Sequence, residues 1–226
     1  MMRYRFLLFP ILFLLPASII ASRADDSPHD TLSNTNSKGE VRRWEVTGPW
    51  GGDVRALAAS PDNPDLLYLG TSDGQMFRST NGGQIWQRLK PGLDKRGLSI
   101  DNLAIDPRNA KVIYAAAWTV SQGSGEEGGV FKSEDGGEKW TLLSPTKGWT
   151  LLSLVLAPSD SKIVLAGAKT GLFRSMDSGK NWERLAPEGH AEIRNINSIA
   201  VDPKDPSIIY VGTHHLPWKT TDSGAN

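Results

Sequence analysis

An all-β chain, a β-propeller with about four four-stranded blades present, is predicted by three observations. A turn sequence of the frame Ser/Thr-x-Asp-x-Gly-x-x-Trp recurs: Ser133-Glu134-Asp135-Gly136-Gly137-Glu138-Lys139-Trp140, Ser175-Met176-Asp177-Ser178-Gly179-Lys180-Asn181-Trp182, and, with Asn for Asp, Ser79-Thr80-Asn81-Gly82-Gly83-Gln84-Ile85-Trp86. A fourth copy, Thr220-Thr221-Asp222-Ser223-Gly224-Ala225-Asn226, stops one residue short of its Trp. The spacing is that of blades: 54 residues from Trp86 to Trp140, 42 from Trp140 to Trp182 and 45 from Asp177 to Asp222. Ahead of each turn stand three short apolar runs, which with the Trp-led run after the turn make four strands per unit.

The frame has a physical reading. A short acidic or amide side chain accepts backbone N–H groups, the following Gly supplies positive φ, and the Ser or Thr hydroxyl ties the incoming strand to the turn. The Trp then opens the outgoing strand and buries its face under the turn.

Taken in order, residues 1–24 read as a secretory signal: Arg3 and Arg5 precede the apolar stretch Phe6 to Ile20, and Ser22-Arg23-Ala24 is a small-x-small end. An uncleaved anchor is the alternative; with cleavage no stable membrane insertion is expected. Residues 25–40 are polar and are expected to be a disordered leader. The propeller is assigned to 41–226. Trp44-Glu45-Val46 resembles the strands that follow the turns and is expected to be a lone outer strand. The blades run 54–89, 100–143, 151–185 and 196–226, the last incomplete. Tyr68, Tyr114 and Tyr210, with Leu165 in the same place, are expected in the core.

Composition excludes several functions. The 226 residues contain no Cys, which removes disulfides, thiol catalysis and zinc–thiolate sites. Loss of the signal takes three of the 25 basic residues and none of the 25 acidic ones, so the remaining chain is near neutral and lacks the basic stripe that nucleic-acid binding needs. His214 and His215 would point to opposite sides of an extended strand and so are not expected to chelate one metal. The Gly pairs belong to turns, not to phosphate loops. No cofactor is expected.

On the four turns the sequence resembles the Asp-box, or bacterial neuraminidase repeat, superfamily over about residues 41–226. The structural positions carried over are Ser79, Asn81, Gly83, Trp86, Ser133, Asp135, Gly137, Trp140, Ser175, Asp177, Gly179, Trp182, Thr220, Asp222 and Gly224. The resemblance implies a hairpin shared by sialidases, xyloglucan-cleaving glycoside hydrolases, sortilin-like ectodomains and photosystem assembly factors, so function has to come from a site. A sialidase is disfavoured: Phe77-Arg78 and Phe173-Arg174 are followed by Ser and not by an Ile-Pro-like pair, and the tyrosines after the signal are assigned to the core. Similarity to xyloglucan-cleaving enzymes is greater. Thr71-Ser72-Asp73-Gly74 matches the connection that carries their catalytic base, which makes Asp73 the weak catalytic candidate; the alternative reading is a plain Asp-Gly hairpin turn. The acid that such a reaction also needs comes, in that family, from a second propeller.

The strand-two to strand-three connections and the inter-blade loops share one face, opposite the repeated turns, and vary most in length. Candidate ligand contacts on it are Arg96, Trp118, Glu126, Glu127, Trp149, His190, Arg194 and His214. Trp149 is read equally as a cap on the first strand of blade three, and Glu126-Glu127 also as a solvated loop tip. The favoured expectation is an exported, non-catalytic propeller binding a protein, peptide or glycan. The alternatives are a piece of a glycoside hydrolase and a structural module of a larger surface protein. The sequence is expected to be part of a longer exported protein, with a compact four-bladed ring as the alternative.

Overall fold

The computed structural model describes residues 33–35, 41–43, 45–49, 52–89, 93, 97–119, 128–185 and 192–225. The chain divides into two compact units, Met1–Val46 and Thr47–Asn226. In the first, β1 (Ser33–Thr35) pairs antiparallel with β2 (Val41–Arg43). Three residues of the segment expected to lack regular structure are thus strand, because a local backbone ladder needs no apolar side chain. Glu45 and Val46 are exposed and outside any strand, contrary to the expected outer strand. Trp44 lies outside the described residues.

The second unit is a partial propeller of four antiparallel sheets. Blade one comprises β3 (Val54–Ala59), β4 (Leu67–Thr71), β5 (Met76–Ser79) and β6 (Gln87–Arg88). Blade two comprises β7 (Leu98–Asp106), β8 (Asn109–Thr119), β9 (Gly129–Ser133) and β10 (Thr141–Leu142). Blade three comprises β11 (Leu151–Ala157), β12 (Asp160–Ala168), β13 (Gly171–Ser175) and β14 (Glu183–Arg184). Blade four has three strands among the described residues, β15 (Ser198–Val201), β16 (Ile209–Gly212) and β17 (Pro217–Thr220).

The repeated turn is bonded alike in all four blades. The Ser133 hydroxyl donates to Asp135 Oδ1 at 2.9 Å and accepts the Gly137 N–H at 2.8 Å, while Asp135 Oδ1 also accepts the Lys139 N–H at 2.9 Å. Ser175 and Asp177 repeat this, Thr220 and Asp222 preserve its start, and in blade one the amide oxygen of Asn81 replaces the carboxylate, accepting from Ser79 and from the Ile85 N–H at 2.9 Å each. The indole N–H groups of Trp140 and Trp182 donate to the Gly137 and Gly179 carbonyls at 2.9 and 3.0 Å.

Hydrophobic side chains bury between consecutive blades in three clusters, one per joint. In each cluster a first-strand residue of the later blade, Leu103, Leu154 or Ile199, meets second-strand residues of the earlier one. Tyr68 and Tyr114 are fully buried in this way, as expected, and Leu165 takes the same place at the third joint. Tyr210 does not follow them. It is 45% exposed, because no blade packs on the far side of blade four among the described residues.

Candidate functional site

On the face opposite the repeated turns, the β4–β5 connection closes as a tight turn in which the Gly74 N–H donates to the Thr71 carbonyl and Gly74 has φ +80°. The turn presents Asp73 to solvent with both carboxylate oxygens engaged: Oδ1 accepts the Thr71 hydroxyl and Oδ2 accepts the Gln75 side-chain amide, each at 2.5 Å. The Thr71 hydrogen bond holds the carboxyl below its ordinary range, with slight burial opposing and Gln75 assisting, so Asp73 is anionic at neutral pH. Such a carboxylate is a lasting anion with spare lone pairs for hydrogen-bond donors, though its lowered pKa makes it a weaker base; the same bonds also serve the hairpin.

Beside it, β3 and β7 each carry a bulge near their start, at Arg55 and at Asp101. A bulge re-aims the extra side chain out of the sheet. Asp101 Oδ1 accepts the Ser99 hydroxyl at 2.6 Å, its Oδ2 accepts the indole N–H of Trp118, and Arg55 Nε lies 4.0 Å from Asp101 and 3.4 Å from Asp53. The Ser72 N–H donates to the Asp53 carbonyl, which links this charged group to the Asp73 turn. Trp118 is therefore a partly buried ring at the end of β8, fixed by an acid. Arg55 and Asp101 were not candidates from sequence. The available signal was a charged residue within each first strand, Arg55 in Val54–Ala59 and Asp101 in Leu98–Asp106.

Arg194 and His214 meet at blade four, where they line a cleft of about 440 Å³ with Glu192, His215 and Trp218. The two imidazoles sit with centroids 6.2 Å apart and planes at 66°, and both residues line this cleft. The condition of the sequence reading, an extended strand, is not met here. The strand ends at Gly212, and residues 213–216 form a turn closed by the Thr213 N–H to the Leu216 carbonyl. Among the described residues no group of three His, Asp or Glu side chains is placed to hold a metal ion.

Trp149 lies with its ring centroid 4.1 Å from Phe173 and edge-on to Trp182 at 5.7 Å, packed against the cluster between blades two and three. That packing is what the capping reading expects. Arg96, Glu126, Glu127 and His190 lie outside the described residues.

No protein-family model matches the chain. It is similar to an oligoxyloglucan-reducing end-specific xyloglucanase of Emericella nidulans, 31% identical over 86 residues, covering 37% of this chain and 10% of that protein. A xyloglucanase of a Paenibacillus species is 28% identical over 137 residues, covering 55% of this chain and 13% of the relative. The chain therefore spans little more than a tenth of the length of these relatives. Among solved structures, the GH74 xyloglucanase from Xanthomonas campestris superposes with a TM-score of 0.62 at 26% identity, over 77% of this chain and 30% of that one. These likenesses place the second unit as part of a β-propeller of the kind found in xyloglucanases.

Proposed function

We propose that the chain presents one wall of a β-glucan-binding cleft of the glycoside-hydrolase type, with Asp73 as its anionic carboxylate and Trp118 as its aromatic platform. The observation that carries this is the similarity to xyloglucanases, 31% identity over 86 residues, and it favours a glycan over a protein or peptide ligand. Asp73 supports it by its exposure and its lowered pKa. The Asp-box resemblance of the turns supports a scaffold that holds such loops rigidly, and the signal-like first 24 residues support export.

Hydrolysis of a glycosidic bond takes two carboxylates across the scissile bond, one as acid. Among the described residues beside this turn, Asp101 is committed to Ser99 and Trp118 and Asp53 lies 3.4 Å from Arg55, so this reading assigns them binding without turnover.

Titration calorimetry with xyloglucan oligosaccharides tests this. The expected result is binding that Asp73→Asn weakens by about tenfold, the loss of one charge-assisted hydrogen bond. No heat with any xyloglucan oligosaccharide overturns the assignment. Release of reducing ends by the chain alone overturns the binding-only part of it.

A further inference from the structure

The three joints between blades repeat one packing, and the third departs from it at one position. The later blade of each joint buries Ile100, Leu151 or Ile196 completely, three residues before Leu103, Leu154 and Ile199. Ile100 and Ile196 lie against second-strand glycines of the preceding blade, Gly70 and Gly167, where an added Cβ would meet them at 2.5 and 2.7 Å. Two residues before these buried positions stand Leu98, Trp149 and Arg194. The third-strand residues of the same ladder rows are Phe131, Phe173 and Trp218.

At the first joint Leu98 is buried in one cluster with Phe131, and at the second Trp149 stacks on Phe173. At the third, Arg194 is exposed, and the cleft of about 440 Å³ opens between blade elements that an apolar cap closes elsewhere. Trp218 packs against the cluster shared with blade three and also lines the cleft, and the Asn195 N–H donates to the Lys169 carbonyl of blade three at 3.1 Å. The cleft therefore belongs to the joint of blades three and four.

Its other wall comes from the β16–β17 connection. Blade three crosses from β12 to β13 with residues 169 and 170 alone, whereas blade four uses 213–216. The Thr213 hydroxyl fixes this longer connection by donating to the Leu216 carbonyl at 2.9 Å and accepting the Leu216 N–H at 3.2 Å. His214 and His215 are exposed on it and line the cleft, as does Glu192. Among the described residues no carboxylate forms an ion pair with Arg194.

A guanidinium offers a planar fork of donors that matches a carboxylate, and an imidazole adds an N–H in either tautomer. An indole offers an apolar face against which a sugar ring can lie. Glu192 can accept hydroxyl groups, and its charge opposes a dianion more than a monoanion. The volume is that of a small-molecule site, about 300–1,000 Å³. We propose that this cleft binds a hexuronate of an acidic glycan, with its carboxylate on Arg194, its ring against Trp218, and its hydroxyls on Glu192 and the two histidines. The site shares no residue with the Asp73 group and does not rest on the xyloglucan reading.

Titration calorimetry of the full chain with trigalacturonate, with neutral cellotriose and with inorganic phosphate tests this. Trigalacturonate is expected to bind, and the other two to bind at least about tenfold more weakly. Arg194→Ala is expected to weaken trigalacturonate about tenfold or more, and Arg194→Lys by less, since an ammonium keeps the charge without the fork. Arg194 is exposed, so both variants are expected to melt like the wild type. Arg194→Trp restores the cap of the second joint and is expected to abolish binding without lowering the melting temperature. Absence of trigalacturonate binding overturns the proposal, as does equal binding of cellotriose or binding that Arg194→Ala leaves unchanged. Phosphate bound as tightly as trigalacturonate overturns the assignment of a sugar.

Discussion

The Tyr68 hydroxyl on blade one donates to the Gly136 carbonyl in the repeated turn of blade two, 3.1 Å away and 68 residues later in sequence. Burial pushes the phenol up, so it remains a protonated donor through neutral and mildly alkaline pH. Tyr68→Phe keeps the ring in the cluster and removes only that bond. It is expected to cost about 1 kcal/mol, since Arg78 still reaches the same carbonyl and spares it from being orphaned. Urea denaturation, read as a lower midpoint at constant slope, measures it.

Acid should loosen the turns. Asp177 falls to about 2 from the ordinary 3.8, held down first by the Asn181 N–H, then by the Asn181 side chain and the Ser175 hydroxyl; Asp135 falls in the same direction through the Lys139 N–H. A carboxyl with a depressed folded-state pKa stabilises fully above its unfolded value and loses that contribution as pH falls through the folded one. For Asp177 the window lies between the ordinary 3.8 and about 2. Asp177→Asn is expected to fold, because Asn81 already fills this role, and to show a shallower loss of thermal stability across that window. Melting curves over the acid range decide it: equal slopes in variant and wild type would show that other carboxylates set the acid limit.

The glycine two residues after the turn's Asp is demanded by two independent constraints at Gly137 and by one at Gly83. Both have positive φ, +90° and +86°. An added Cβ at Gly137 would stand 2.7 Å from Leu89 Cδ1 across the joint, whereas at Gly83 its nearest neighbour is Leu67 Cδ1 at 3.3 Å. Alanine at either position pays about 1–2 kcal/mol of left-handed strain. Gly137→Ala adds an overpacking cost of about 1–3 kcal/mol. Thermal or urea unfolding should rank Gly137→Ala clearly below Gly83→Ala, and equal losses would mean that Leu89 yields without cost.

What the sequence made readable follows from repetition. Four copies of one turn fixed the blades, the strand order and the buried places of Tyr68 and Tyr114, because each copy repeats the same local bonds. Tyr210 was misread by the same logic: its sequence matches its equivalents, but burial comes from the next blade and not from the residue. The bulges at Arg55 and Asp101 are properties of strand pairing that a charge within a strand does not reveal, so the charged group beside Asp73 emerged only with the register. His214 and His215 share a cleft because their strand ends one residue before Thr213, and strand ends are the least legible feature of a sequence.

The two exposed-face tryptophan candidates separate by what holds them. Trp149 is stacked on Phe173 and edged against Trp182, so Trp149→Ala opens a void between blades two and three and is expected to cost about 3–5 kcal/mol. Trp118 is fixed by one hydrogen bond to Asp101 at the end of its strand. Trp118→Ala is expected to cost less stability than Trp149→Ala and to weaken xyloglucan-oligosaccharide binding by up to about tenfold, the value of one aromatic platform. Trp118→Phe retains the platform but frees Asp101, and is expected to bind more tightly than Trp118→Ala. Calorimetry and unfolding on the same three variants distinguish the roles. Binding that survives Trp118→Ala unchanged would move the glycan off this part of the face.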